Sequence, residues 1–186
     1  MMSRIVSYSV LSAELGDLNG LYRSLEVNYP KFFKMDSLSK AGFLAAEMAL
    51  AKAGLRNDMP KPDMAIVLMN SSSSTCDDVE FQKGLAPDAY FPSPSLFVYT
   101  LSNIVCGEIA IRNRIMGESS FYVRKEFDAG SLVRAAGWAL QDSSAKYVLC
   151  GWLETFEPGA RCIMMLVSRD GDEGMEFNEE NINQII

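Results

Sequence analysis

Residues 117–154 read GESSFYVRKEFDAGSLVRAAGWALQDSSAKYVLCGWLE, and the fold is decided here. Ser119 to Val123 is short, β-branched and aromatic, which predicts a buried strand. Asp128 is placed to cap a following helix whose apolar positions Leu132, Ala135, Ala136, Ala139 and Leu140 recur at helical spacing. Lys146 to Leu153 predicts a second strand centred on Tyr147, Val148 and Leu149. A helix N-terminus delivered by a strand is a common seat for a nucleophile, because its free backbone N–H groups stabilise an anion. The turn in question, Arg124-Lys125-Glu126-Phe127-Asp128, contains neither Cys nor Ser.

Upstream, Pro92-Ser93-Pro94 opens a segment that predicts one helix from Leu96 to Met116, apolar on most sides through Leu101, Ile104, Val105, Ile109, Ile111 and Ile115. Glu108 and Arg112 fall at i, i+4 in the favourable order for an ion pair. Before that, Pro60-Lys61-Pro62 launches an apolar strand from Met64 to Met69. The polar run Asn70 to Thr75 follows directly. It reads either as a loop lining a pocket or as a connection whose Ser74 or Thr75 caps a helix from Cys76 to Leu85, and the capping preference of Ser and Thr favours the second. A phosphate-binding Gly-Lys-[Ser/Thr] is missing from it.

Asp36 to Gly54 predicts a helix with Asp36 or Ser37 as N-cap, Gly54 as its stop, and Ala41, Leu44, Met48, Ala51 and Leu55 as its apolar face. Residues 12–33, with Asn19-Gly20 and Tyr29-Pro30, predict irregular structure with one short helix. Arg4 to Val10 predicts a first strand. Downstream, Glu157-Pro158-Gly159 marks a turn and Arg161 to Val167 a last strand. The division expected is a domain over 1–170 and an acidic tail over 171–186, whose Ile182, Ile185 and Ile186 are available to dock on the domain or on another chain.

At 186 residues the chain is ample for one domain, and a net charge of −7 argues against a nucleic-acid partner. No apolar run reaches the roughly 18–20 residues needed to span a bilayer, and the N-terminus lacks a signal-peptide pattern, so a cytoplasmic protein is expected. The four cysteines, Cys76, Cys106, Cys150 and Cys162, have no paired spacing and predict reduced thiols, three of them buried. No spacing suits a metal, and no cofactor motif is present. Histidine is absent, which removes the commonest general base. Cys106 and Cys150 therefore have no imidazole to activate them. Lys125, Glu126 and Asp128 cluster at one turn, where acids usually serve capping and solvation.

The order of these segments resembles the N-terminal half of a β-ketoacyl synthase, a condensing enzyme of the thiolase-like superfamily. The similarity runs from about residue 36 to 168 and is densest over 92–154. It is carried by SLSKAGFLAAEMALAKAGL (37–55), by Thr100-Leu101-Ser102-Asn103 through Gly107-Glu108-Ile109-Ala110 and Gly117-Glu118, and by Cys150-Gly151-Trp152-Leu153-Glu154, which is similar to a Gly-Gly-x-Glu strand. In that family a Cys heads the helix after the strand. Here its place falls on Phe127, or with one residue of slippage on Glu126.

The resemblance implies an α/β fold, a three-layer α/β/α half of the thiolase-like architecture with a mixed sheet of about five strands. It implies a degenerate, chain-length-factor-like member with no catalytic residue and no cofactor, since the family's His-bearing C-terminal half has no counterpart here. It also implies a homodimer, or a heterodimer with a full-length ketosynthase, and acyl carrier protein as a further partner. Nucleic acid and membrane are not expected. Phe97, Tyr99, Ile104, Met116, Phe121 and Val123 are the candidates for an interface or acyl tunnel. The alternatives are an acyl-chain or small-molecule binder without a synthase partner, and an enzyme of other chemistry.

Overall fold

The computed structural model describes residues 3–56, 58–86, 89–90, 92–142 and 144–186. Strand β1 (Arg4–Glu14) leads through a short 3-10 turn into helix α1 (Leu18–Ser24) and helix α2 (Ser37–Lys52). Then come β2 (Met64–Asn70), α3 (Thr75–Lys83), a small hairpin of β3 (Leu85–Ala86) and β4 (Ala89–Tyr90), α4 (Pro94–Tyr99) and α5 (Ile104–Asn113). The chain closes with β5 (Ser119–Val123), α6 (Ala129–Gln141), β6 (Tyr147–Phe156), β7 (Gly159–Ser168), β8 (Met175–Glu176) and α7 (Glu179–Ile185).

Six strands form one mixed sheet in the order β5-β2-β6-β7-β1-β8. β5, β2 and β6 run parallel, while β7 is antiparallel to both β6 and β1. The five long strands are those expected, and the two-residue β8 adds a sixth at the β1 edge. Parallel strands buried on both faces read as continuous apolar runs, and Met64 to Asn70 is accordingly buried at every position. Each face has its own core. On one, α2 and α5 bring Phe43, Leu44, Leu50 and Ile109 onto Ile66, Leu68 and Leu149. On the other, α6 brings Leu132, Ala135, Ala136, Ala139 and Leu140 onto Val67, Val148 and Met165, the five helix positions read from the sequence. Removing this apolar surface from water is the main stabilising contribution.

α2 begins where expected, with the Asp36 carboxylate accepting from Leu38 N at 2.9 Å and Ser39 N at 3.2 Å. Gly54 follows it in the left-handed region at φ +69°, which a glycine adopts without steric cost. Its buried surface is not the single stripe predicted. Ala51 is exposed, whereas Phe43, Ala45, Ala46, Glu47, Ala49 and Leu50 are all buried, because β1, α1 and α5 enclose the helix from several sides. Ser7 and Ser9 on β1 donate their hydroxyls to the Ala49 and Ala45 carbonyls, which satisfies polar groups that face the helix.

Further expectations are corrected. The segment 96–116 is not one helix: it breaks at Thr100–Asn103 into α4, which has no fully buried residue and packs on the core only through the half-buried Tyr99, and α5, which is deeply packed. Glu108 and Arg112 do not pair. Glu108 takes Lys31 at 2.8 Å and the Tyr99 hydroxyl at 3.3 Å, and Arg112 turns to Glu47 and Asp58. Neither Ser74 nor Thr75 caps α3 through its side chain, since Ser74 donates to the Thr100 carbonyl and Thr75 to the Ser72 carbonyl. β1 runs on to Glu14, and Asn19-Gly20 lies inside α1, where Leu18 and Tyr22 are buried and override the local turn signal.

The last residues are structured. β8 pairs with β1, and Ile182 of α7 is fully buried beside α6.

Candidate functional site

β5 forms the parallel ladder with β2 and lies at the sheet edge, so its expected burial is not found: Ser119, Tyr122 and Val123 are exposed. The strand delivers residues 124–128 to the N-terminus of α6, as the sequence indicates. Arg124 N donates to the Asn70 carbonyl at 2.8 Å and ties the turn to the end of β2. Asp128 caps α6 by accepting from Gly130 N and Ser131 N, both at 3.1 Å. Its carboxyl is held below the usual range, first by the Ser131 hydroxyl and then by those N–H groups. Arg124 and Arg134 both donate to the Ser131 hydroxyl, at 2.7 and 3.0 Å. The acid at this turn therefore works as a cap, which fits the reading of the cluster as structural.

Phe127 leans into a cleft of about 460 Å³ that also takes Lys125, Trp152, Phe156, Arg161 and Ile163 as walls. Its ring meets Trp152 edge to face, with centroids 5.5 Å apart and planes at 89°. Glu126 lies on the same cleft but is exposed. At the far wall, Glu154 accepts Ser71 N at 2.6 Å and the Ser72 hydroxyl at 3.4 Å. The Ser-rich loop is thereby folded onto β6 and its free N–H is already met by a carboxylate. Asn70 completes the loop by bonding Ser73 in both directions.

No cysteine belongs to this cleft. Cys106, Cys150 and Cys162 are buried, as expected, and burial pushes the Cys106 and Cys162 thiols up to about 12 and the Cys150 thiol higher still. Cys76 is exposed, and its thiol is also raised, by desolvation first and then by Asp77. A thiol so placed is a poor nucleophile at neutral pH. Among the described residues no group of three or more Cys, Asp or Glu side chains is placed to hold a metal, and no helix is long and apolar enough to cross a membrane.

No family model matches the chain, and no curated protein matches it. Solved structures do. The ishigamide ketosynthase/chain length factor superposes with a TM-score of 0.67 at 15% identity, over 93% of this chain and 63% of that one. A type II polyketide acyl-carrier protein in complex with its ketosynthase gives 0.69 at 12% identity, over 99% and 64%. A ketosynthase in complex with its chain length factor from Xenorhabdus doucetiae gives 0.62 at 14%, over 92% and 81%.

The fold is the ketosynthase fold.

The chain spans 63% and 64% of the first two of these structures. On this fold, residues 124–128 occupy the hand-over from strand to helix. Of the interface or tunnel candidates, Met116, Phe97 and Val123 are exposed, whereas Tyr99, Ile104 and Phe121 are half-buried. Sequence reasoning missed Trp138, 63% exposed on α6, and Tyr122, which share a small groove of about 170 Å³ beside the β5 edge. The signal was present: placing Leu132, Ala135, Ala136, Ala139 and Leu140 inward leaves Trp138 on the outer face of the same helix.

Proposed function

We propose that the chain is a non-catalytic ketosynthase-like subunit, working in the cytoplasm as a chain-length-factor-like partner in fatty-acid, polyene or polyketide-type acyl-chain synthesis. One observation carries this reading: Phe127, packed on Trp152 in a cleft without Cys, stands at the strand-to-helix turn of a chain that has no histidine. Such a site supplies walls and surface, not a nucleophile or its base.

The edge of β5 is the natural attachment point for a second chain, which by this reading is a full-length ketosynthase or another copy. Register and the hydrogen bonds from Ile66 N to the Glu118 carbonyl and from Arg124 N to the Asn70 carbonyl turn the backbone of Ser120 and Tyr122 toward β2. The N–H and C=O of Phe121 and Val123 therefore point outward, as alternate residues of a parallel strand must. An exposed uncharged edge of this kind is a template for pairing.

Two tests follow. Incubation with acyl carrier protein or coenzyme A thioesters should add no acyl group to any cysteine by intact-mass spectrometry; a covalent adduct overturns the non-catalytic assignment. Light scattering should find a dimer, or a complex with an added ketosynthase. Val123→Pro removes one outward N–H and leaves the β2 ladder intact, so association should weaken by roughly tenfold, the value of one interfacial hydrogen bond, with the melting temperature nearly unchanged. A monomer indifferent to every synthase sinks the partner role. The apolar part of the cleft wall, Phe127, Trp152, Phe156 and Ile163, supports a second reading, an acyl-chain binder that needs no partner. Native mass spectrometry of the purified protein should then retain a lipid, and an empty cleft counts against it.

A further inference from the structure

β1 is the longest strand and lies toward the border of the sheet opposite β5. On its outer side β8 reaches only Arg4 and Ile5, so beyond the bulge at Val6 β1 is itself the border. Leu15 N donates to the Pro158 carbonyl at 2.8 Å and extends the ladder with β7. Counted back from Leu15 in steps of two, Ala13, Leu11, Ser9 and Ser7 turn their backbone groups to β7. The N–H groups of Tyr8, Val10, Ser12 and Glu14 therefore point away from the sheet, and none has a partner among the described residues.

Ile5 to Ala13 contains no charge and no proline, the two devices that usually blunt a bare strand. Tyr8 and Val10 are 38% and 40% exposed, and across the ladder they sit beside Met165 and Ile163 of the α6-side core. The border carries a charge at each end. At one, Lys52 of α2 donates to the Tyr8 carbonyl at 2.9 Å, with its ammonium 5.4 Å from the centre of the Tyr8 ring. At the other, Glu14 is exposed.

We propose that this border binds a second copy of the chain, β1 against β1, antiparallel about a two-fold axis at Leu11. That register uses all four outward residues, setting Tyr8 opposite Glu14 of the second copy and Val10 opposite its Ser12. It also brings the Lys52 ammonium at Tyr8 to the Glu14 carboxylate of the other strand, twice in each dimer, and opposite charges across a strand pair attract. An extended peptide with no acid at that point would cover the ammonium without a counter-charge, which favours a second copy over an arbitrary strand. The proposal does not rest on the partner role, because the contact is on the far border from β5. With a ketosynthase on β5, the two-fold at β1 closes an assembly of two copies of each.

Light scattering and hydrogen–deuterium exchange on the full chain alone, from micromolar to millimolar concentration, test it. A dimer should appear as the concentration rises, with exchange over 7–13 slowing in step, and equally so in Val123→Pro, whose altered border is β5. Glu14→Lys and Lys52→Glu each set like charges together and should raise the dimer dissociation constant roughly tenfold, the value of two exposed ion pairs. The two changes combined restore the attraction with its signs exchanged, and the constant should return to within about threefold of the unaltered one. Both side chains are exposed, so melting temperatures should stay level. Exchange over 7–13 that ignores concentration overturns the proposal, as does a dimer that protects 119–123 instead. So does a double variant no tighter than either single one, or protection of 7–13 that appears only with an added ketosynthase.

Discussion

Gly151→Ala is expected to destabilise the protein by about 3–5 kcal/mol, enough to leave many domains of this size largely unfolded. Gly151 lies in the middle of β6, between β2 and β7, paired with Leu68 on one side and Met164 on the other. A Cβ built there would stand 2.1 Å from the Ile163 carbonyl oxygen, a backbone atom of the neighbouring strand. A flexible side chain at that distance could swing away, but a ladder oxygen can retreat only by parting β6 from β7. That would loosen both cores at once, because the two strands carry residues of each. The contrast is Gly137 of α6, where an added Cβ meets nothing within 4 Å. Gly137→Ala should stabilise by about 0.5–1 kcal/mol through helix propensity. Urea melts of both variants decide the matter: equal midpoints would mean that the close approach at Gly151 is relaxed in solution.

Legibility in the sequence followed how local the controlling physics is. Asp128, the inward positions of α6 and the run Met64–Met69 obey periodicity and capping rules that operate within one or two turns of chain, and all three were read correctly. The turn 124–128 was likewise located, because a strand and a capped helix bracket it. The edge position of β5 was not legible, since SSFYV is apolar enough to be buried and only the strand order makes it a border. The same holds for Glu154, whose partners Ser71 and Ser72 lie more than 80 residues away in the chain and become neighbours only when β2 and β6 pair. The break between α4 and α5 illustrates a third case. Hydrophobicity alone suggested one helix, but α4 is covered only in part, by Phe81 on Phe97 and by the packing of Tyr99 against the core, and the Thr100 carbonyl accepts from Ser74 in place of an intrahelical partner. The cleft at Phe127 combines both kinds of information: its position came from local signals, and its lining from strands β6 and β7.

Glu47→Ala is the second substitution with a large expected effect, and it probes the one place where α2 buries a charge. Glu47 is fully enclosed between α2 and α5, with one oxygen accepting Asn113 Nδ2 at 3.0 Å and lying 3.5 Å from Arg112. Arg112 also reaches Asp58 at 3.2 Å, and the Lys61 ammonium donates to the Asn113 carbonyl at 2.8 Å. Burial raises the Glu47 carboxyl above its usual value, and Arg112 and Asn113 oppose that rise without cancelling it. The carboxylate is thus costly to bury, yet its removal costs more, because it leaves the largely buried guanidinium with only the exposed Asp58 and the Asn113 amide with only the Ile109 carbonyl in a packed interface. Losing one member of a buried pair costs about 3–5 kcal/mol, and since Arg112 keeps 17% of its side chain exposed, about 3 is expected here. Glu47→Gln retains an acceptor for Asn113 and should lose less. The pH dependence has a definite sign: a folded-state carboxyl raised above its unfolded value contributes stability at low pH that is lost as pH rises through the raised value. The unaltered protein should therefore show this component of stability declining with rising pH, and Glu47→Gln should lack it. Replacing Glu47 and Arg112 together by Leu and Met should recover most of the loss in urea midpoint, since an apolar pair leaves nothing unmatched. If the double variant is instead as unstable as the two single losses added, the two side chains act independently and the interface is held by its apolar contacts alone.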